Sequence, residues 1–204
     1  MGKNNRQNRE KKKAKKVQKQ FDKTEKRRLR GDSHPESEGA TIDQIMQVAR
    51  SVSSGPLGWI DHRPNPGAKA HECYNNAQDM TNQAGGRVMP GWSFHLRFRP
   101  GVGSYLFTTP HAVWVPPDGD APVDVTPYPE PFHAPVMDNG RVLFLGDLDA
   151  DIVPIADGIY LSPPLRAFAI GGSPALAKYV AERNEKFTGD FESEKRAALA
   201  RAGR

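Results

Sequence analysis

The chain has 204 residues, 37% of them apolar and 26% charged, with 19 Gly, 18 Pro and a single Cys. Its net charge of +5 joins two opposite parts: residues 1–30 carry 14 Lys/Arg against 3 Asp/Glu, net +11, and the rest carries 15 against 21, net −6. That composition suits one loop-rich α/β or α+β body of about 170 residues; it contains no run of about 18 apolar residues to span a bilayer, and one cysteine excludes an internal disulfide or a multi-cysteine zinc site.

Residues 1–39 read as a disordered basic arm and linker. Val17, Phe21 and Leu29 are the only larger apolar residues of 3–30, too few to bury a face. Lys11, Lys12, Lys13, Lys15, Lys16, Arg27 and Arg28 are the nucleic-acid candidates of this arm. They would neutralise phosphates without reading sequence, and a single aromatic, Phe21, excludes binding by base stacking. A solubilising tail is the other role such an arm takes. No apolar segment follows the basic start, so no secretory signal is expected. Arg6 stands where a myristoylation signal needs Ser or Thr. A cytoplasmic location is the expectation.

The body, 40–173, opens with an amphipathic helix: Ile42, Ile45, Met46 and Ala49 follow the helical period, and Thr41 is a candidate cap. Residues 53–67 carry several Gly and Pro and read as loop. A second helix spans about Glu72 to Ala84, with Cys73, Ala77, Met80 and Ala84 on one face and Gly85-Gly86 ending it. Trp92, Phe94, Leu96 and Phe98 alternate with polar residues, the pattern of a half-buried antiparallel strand. Further strands are expected at Tyr105–Thr108, His111–Val115, Val123–Thr126 and Val142–Leu145. Residues 146–173 read as mostly loop. Two helices, about 174–187 and 190–202, make up a C-terminal segment 174–204.

The chemistry-bearing residues are Cys73, His111 and Asp124. A thiol nucleophile needs a base, and the base needs an acceptor that fixes its tautomer. A helix start lowers a cysteine's pKa, because unpaired N–H groups favour the thiolate. If Asp118-Gly119 centres a hairpin, the position numbers of paired residues sum to 237. Val113 then faces Asp124, and His111 lies on the same sheet face as Asp124, one diagonal away. A one-residue slip would put them on opposite faces. Taken singly, a buried Cys is more often a small core residue, and a cross-hairpin His–Asp pair is often a structural hydrogen bond.

His71-Glu72-Cys73-Tyr74-Asn75-Asn76-Ala77, Gly86-Arg87-Val88-Met89-Pro90-Gly91-Trp92, His111-Ala112-Val113-Trp114 and Val123-Asp124-Val125-Thr126-Pro127 together resemble a group of bacterial and phage proteins. Their pattern is similar to the transglutaminase-like branch of the papain-like thiol hydrolase superfamily. The resemblance covers about residues 56–145. It implies an α+β fold with an N-terminal catalytic helix packed on an antiparallel sheet. It also implies Cys73 as nucleophile, His111 as general base and acid, and Asp124 as its orienter. The chain lacks the Gln that papain-type enzymes place before the nucleophile. Its oxyanion donors are then the Cys73 N–H plus a side chain from the preceding loop, Asn65 or Trp59.

Asn76, three residues after Cys73, would orient His111, bind substrate amides, or tie down a neighbouring loop. Trp92 and Trp114 would line a cleft, although core packing is the commoner role of such residues. A zinc set of His71, Cys73, His95 and His111 has no standard spacing. Asp147, Asp149 and Asp151 imitate a calcium loop, but Ile152 and Gly158 stand where Gly and Glu are required. The expectation is a thiol hydrolase or acyltransferase acting on an amide, ester or isopeptide bond, with no cofactor or metal and no membrane partner. The alternatives are a non-catalytic binding module held to RNA, DNA or ribosomes by the arm, and a small metal-binding protein.

Overall fold

The computed structural model describes residues 40–203, apart from Asp120, 129–134 and 157–158. The arm and its basic candidates, Lys11 to Arg28, lie outside the described residues. The fold is mixed α+β: among the described residues a mostly antiparallel sheet carries three helices, the last of them C-terminal.

Helix α1, Ile42–Val52, starts at a capping box. Gln44 N–H donates to Thr41 Oγ1 at 3.3 Å, and Thr41 N–H donates to Gln44 Oε1 at 2.9 Å. Strand β1 is Leu57–His62, inside the segment read as loop. The Gly and Pro residues flank it, and its alternation spans only six residues, so the breakers dominated the sequence signal. Helix α2 is Cys73–Ala84. It is not the N-terminal element, because α1 and β1 precede it. Its buried residues are Asn76 and Ala77, while Ala84 is exposed, so the buried face is turned from the expected one.

Strands β2, Arg87–Arg99, and β3, Gly103–Val115, form a 13-pair hairpin, so the two expected strands 105–108 and 111–115 are one. Pro110 does not interrupt it because its ring nitrogen needs no partner on that edge. Strand β4 is only Val123–Asp124, β5 is Met137–Asp138 and β6 is Arg141–Gly146. A 3-10 turn, Leu148–Ala150, leads to β7, Val153–Ala156, β8, Ile159–Leu161, and β9, Arg166–Ala169. Residues 146–173 thus hold three strands too short to show a period.

Strand β1 pairs with β4 and β6, β6 with β2, β2 with β3, and β3 with β4. Five strands therefore close on themselves; only the β1–β4 pairing among them is parallel. Alternation then sorts side chains by face. Ile60, Val113, Val142 and Phe144, with Met89 and Tyr128 against them, pack together inside the ring. Trp92, Phe94, Leu106, Leu143 and Leu145 face outward, where Ile45 and Ala49 of α1 cover them.

Helix α3, Pro174–Ala202, is a single 29-residue helix in place of the two expected, with Gly189 inside it. Ser173 caps it, its hydroxyl accepting from Leu176 N–H at 3.3 Å. Leu176 and Val180 pack on Tyr105 and Ala167. Asn184 bonds both the N–H and the carbonyl of Ala167, at 2.7 and 3.0 Å, so the outer edge of β9 is closed. Among the described residues no helix is long and apolar enough to cross a membrane.

Candidate functional site

Among the described residues, the site forms where β3 has no strand beside it. One edge of β3 runs along β2 throughout. The other edge is taken by β9 at Tyr105–Thr108 and by β4 at Trp114. Between these the edge is open. Pro90, opposite Ala112, has no N–H, and its carbonyl accepts from Asp147 N at 3.0 Å. The Ala112 amide therefore points to the open edge, where a buried donor needs an acceptor.

Helix α2 supplies that acceptor. Its first residue is Cys73, and the thiol receives N–H groups from Ala112 and from Tyr74 of its own first turn. His71, just before the helix, has φ +66° in the left-handed region, a sharp bend that brings the chain into the helix at Cys73. Helix α2 packs on β2 and β3. The Tyr74 hydroxyl donates to the Ala150 carbonyl at 2.6 Å, and Trp114 Nε1 donates to the Gly85 carbonyl at 2.8 Å, so both ends of the helix are tied down.

His111 stands on β3 beside that thiol and within its hydrogen-bonding reach. The imidazole Nε2 is 3.1 Å from Asp124 Oδ2, with His111 5% and Asp124 0% exposed. Nε2 is thereby engaged, which leaves Nδ1 for the thiol. The observed β3–β4 pair, Trp114 with Val123, has the register expected from the hairpin. The strands part immediately after it, so the connection is wider than a two-residue turn. Asp124 is held on every side: Oδ1 accepts from Thr126 N–H at 3.0 Å and Oδ2 accepts the Tyr128 hydroxyl. Its backbone carbonyl accepts from Arg63 N–H at 2.8 Å in line with β1.

His111 also packs on the Phe144 ring in a T-shaped arrangement, centroids 6.3 Å apart. Gly91, opposite His111 on β2, makes this contact possible. A Cβ there would stand 2.4 Å from the Phe144 ring and 2.2 Å from the Leu145 carbonyl oxygen.

The electrostatics follow from this enclosure. Burial disfavours charge on His111, but the Asp124 carboxylate and the Cys73 sulfur outweigh it and push its pKa up to about 10. Burial pushes the Cys73 thiol up, but the His111 hydrogen bond and charge, with the N–H groups of Ala112 and Tyr74, carry it below its ordinary value. Burial likewise raises Asp124, and His111, Tyr128 and Thr126 together bring it down. All three directions favour a thiolate–imidazolium pair backed by a carboxylate.

The other candidates separate. Asn76 is a loop clamp: its Nδ2 donates to the Lys69 carbonyl at 2.8 Å and reaches Thr126 Oγ1 at 3.4 Å, and its Oδ1 accepts Lys69 N–H at 3.0 Å. With both ends engaged it is not directed at a substrate. Asn65 contributes backbone bonds, to Val125 and Ala68, that hold the loop after β1 along the chain leaving β4. Trp92 is fully buried, its Nε1 donating to Asp147 Oδ2 at 2.9 Å and its ring lying under Arg166, so it is core and not a cleft wall. Trp59 is on β1 and not in a loop. With Ile60, Met89, Val115 and Phe144 it lines a groove of about 830 Å3 rimmed by Arg87, and none of Cys73, His111 and Asp124 lines that groove.

The zinc set does not assemble. His95 is held on β2 by Ser93 at 3.3 Å and Thr109 at 3.1 Å. Among the described residues no group of three or more His, Cys, Asp or Glu converges as metal ligands.

Sequence reasoning missed Tyr128 and His62. The Tyr128 hydroxyl is 3.3 Å from His111 Nε2, and its ring lies 4.9 Å from that of His62, which bonds the Thr126 carbonyl at 2.9 Å. The alternation Asp124, Thr126, Tyr128 was the available signal, hidden by Pro127, which reads as a strand end. Compared with protein-family profiles, with curated proteins and with solved structures, the chain matches none.

Proposed function

We propose that this chain is a thiol-dependent acyl-transfer enzyme acting on an amide, ester or isopeptide carbonyl. Its scaffold is read as a transglutaminase-like variant of the papain-like fold, with α2 as the catalytic helix. The observation that carries the reading is the line Cys73–His111–Asp124: a thiol at a helix start, an imidazole beside it, and a buried carboxylate 3.1 Å from the far ring nitrogen.

In the first step the Cys73 thiolate attacks the carbonyl carbon, a C–S bond forms and the π electrons move to oxygen. The Cys73 N–H, in the first turn of α2 where a helix leaves its amides without intrahelical partners, is the donor assigned to that oxygen. Collapse breaks the bond to the leaving amine or alcohol, which takes the proton from His111. Neutral His111 then removes a proton from water or an acceptor amine, which attacks the thioester and expels the thiolate. Asp124 holds the ring and balances the imidazolium.

Alkylation with iodoacetamide at pH 6 tests this. An ordinary thiol of pKa near 8.5 is only about 0.3% thiolate there. The folded wild type should react more than about tenfold faster than the urea-unfolded chain. His111→Ala should fall to the unfolded rate. Ordinary reactivity in the folded wild type would sink the reading.

A further inference from the structure

Three groups meet at one carboxylate oxygen. Asp124 Oδ2 is 3.1 Å from His111 Nε2 and also accepts the Tyr128 hydroxyl proton. The Tyr128 oxygen is itself 3.3 Å from His111 Nε2. Because the hydroxyl proton goes to Asp124, a tyrosine lone pair is what faces the imidazole. His111 and Asp124 are buried and Tyr128 is partly buried against them, so solvent dilutes these contacts little. Asp124 Oδ1 is separately occupied by Thr126 N–H. The charge reaching His111 therefore comes from an oxygen shared with one other donor.

We propose that Tyr128 is a positioning residue of this site: its hydroxyl divides the charge of Asp124 Oδ2 between two donors and so limits how tightly the carboxylate holds the imidazolium. The inference rests on the acyl-transfer reading for its purpose, though not for its geometry. A His111 held too tightly by Asp124 would be slow to protonate a leaving group; one not held at all would not stay charged beside the thiol. Tyr128 sets the balance without touching a substrate.

Among the described residues, the groups around His111 leave few other sources for such tuning. Helix α2 presents Cys73, β4 presents Asp124, and the segment after it presents Tyr128. Strand β6 presents Phe144, and β2 presents Gly91 opposite His111. From β1, His62 packs on the ring of Tyr128. A tyrosine that merely filled the space between the two histidine rings would serve equally well as phenylalanine.

The test is the titration of His111, followed by NMR of its imidazole and assigned by the resonance lost in His111→Ala. In Tyr128→Phe the undivided carboxylate should raise the His111 midpoint by roughly half a unit to one unit. With 3-fluorotyrosine at position 128, a stronger donor of nearly the same size, the midpoint should fall. The fluorinated chain keeps the experiment decisive if the phenylalanine variant does not fold. An unmoved midpoint in both, a fall in Tyr128→Phe, or a rise in the fluorinated chain would overturn the proposal. Iodoacetamide reactivity of the wild type is measured in parallel. An unreactive thiol with the stated shifts sinks the acyl-transfer reading and leaves the role of Tyr128 standing; a reactive thiol with no shifts sinks only Tyr128.

Discussion

Asp124 accepts three hydrogen bonds through two oxygens, from Thr126 N–H, Tyr128 and His111, with no exposed surface. A buried carboxylate survives only when so satisfied. The sign of its contribution to stability follows from its lowered pKa. The contribution is full above the ordinary value of 3.8 and is lost as pH falls through the lowered one. His111, pushed up to about 10, holds its charge at neutral pH and so depends on that counter-charge. Asp124→Asn should therefore destabilise the protein by about 3 kcal/mol at neutral pH, the cost of breaking a buried pair. Urea unfolding at pH 7 and pH 3 should show the difference from wild type shrinking in acid. Equal differences at both pH values would deny the pair its role.

Between residues and fold, the informative elements are α2 and the open edge of β3. The helix starts at Cys73 because the chain turns at His71 and the loop before it is held by Asn76. Asn76 also touches Thr126, two residues past Asp124, so one amide joins the nucleophile's helix to the carboxylate's strand. Asn76→Ala removes those bonds and leaves the Lys69 N–H and carbonyl without them. The expected loss is about 1–3 kcal/mol in thermal or urea unfolding. Cys73 alkylation at pH 6 should slow as well, since the helix start is no longer tied to the loop at Lys69 and to Thr126. A variant with lower stability but an unchanged alkylation rate would show that Asn76 holds the loop alone.

For the whole molecule, the charge division matters more than the total. The packed clusters lie within residues 40–187, and the net +11 of residues 1–30 stands apart from an acidic remainder. Deleting residues 1–39 should leave the thermal midpoint and the Cys73 alkylation rate unchanged. The full chain, titrated with a nucleic-acid duplex over a salt series, should bind with a steep negative dependence on salt, and the shortened chain should lose that binding. Equal binding by both chains would place the nucleic-acid contact on the body or nowhere.

Local pattern was enough for the capped first helix, the helix beginning at Cys73, the alternating core of β2 and the register that brings His111 beside Asp124. Each is written in neighbouring residues, as a period, a cap or the sum of paired positions. Tertiary structure decided the rest. The closing of five strands into a ring turns Trp59 and Trp92 outward and Phe144 inward, and no local period encodes which strands meet. Asn76 could bond a loop or a substrate with equal chemistry, and only the position of Lys69 chose the loop. Tyr128 reaches His111 because the chain turns back after β4, a long-range contact whose loop-closure cost is repaid by packing and hydrogen bonds far away in sequence.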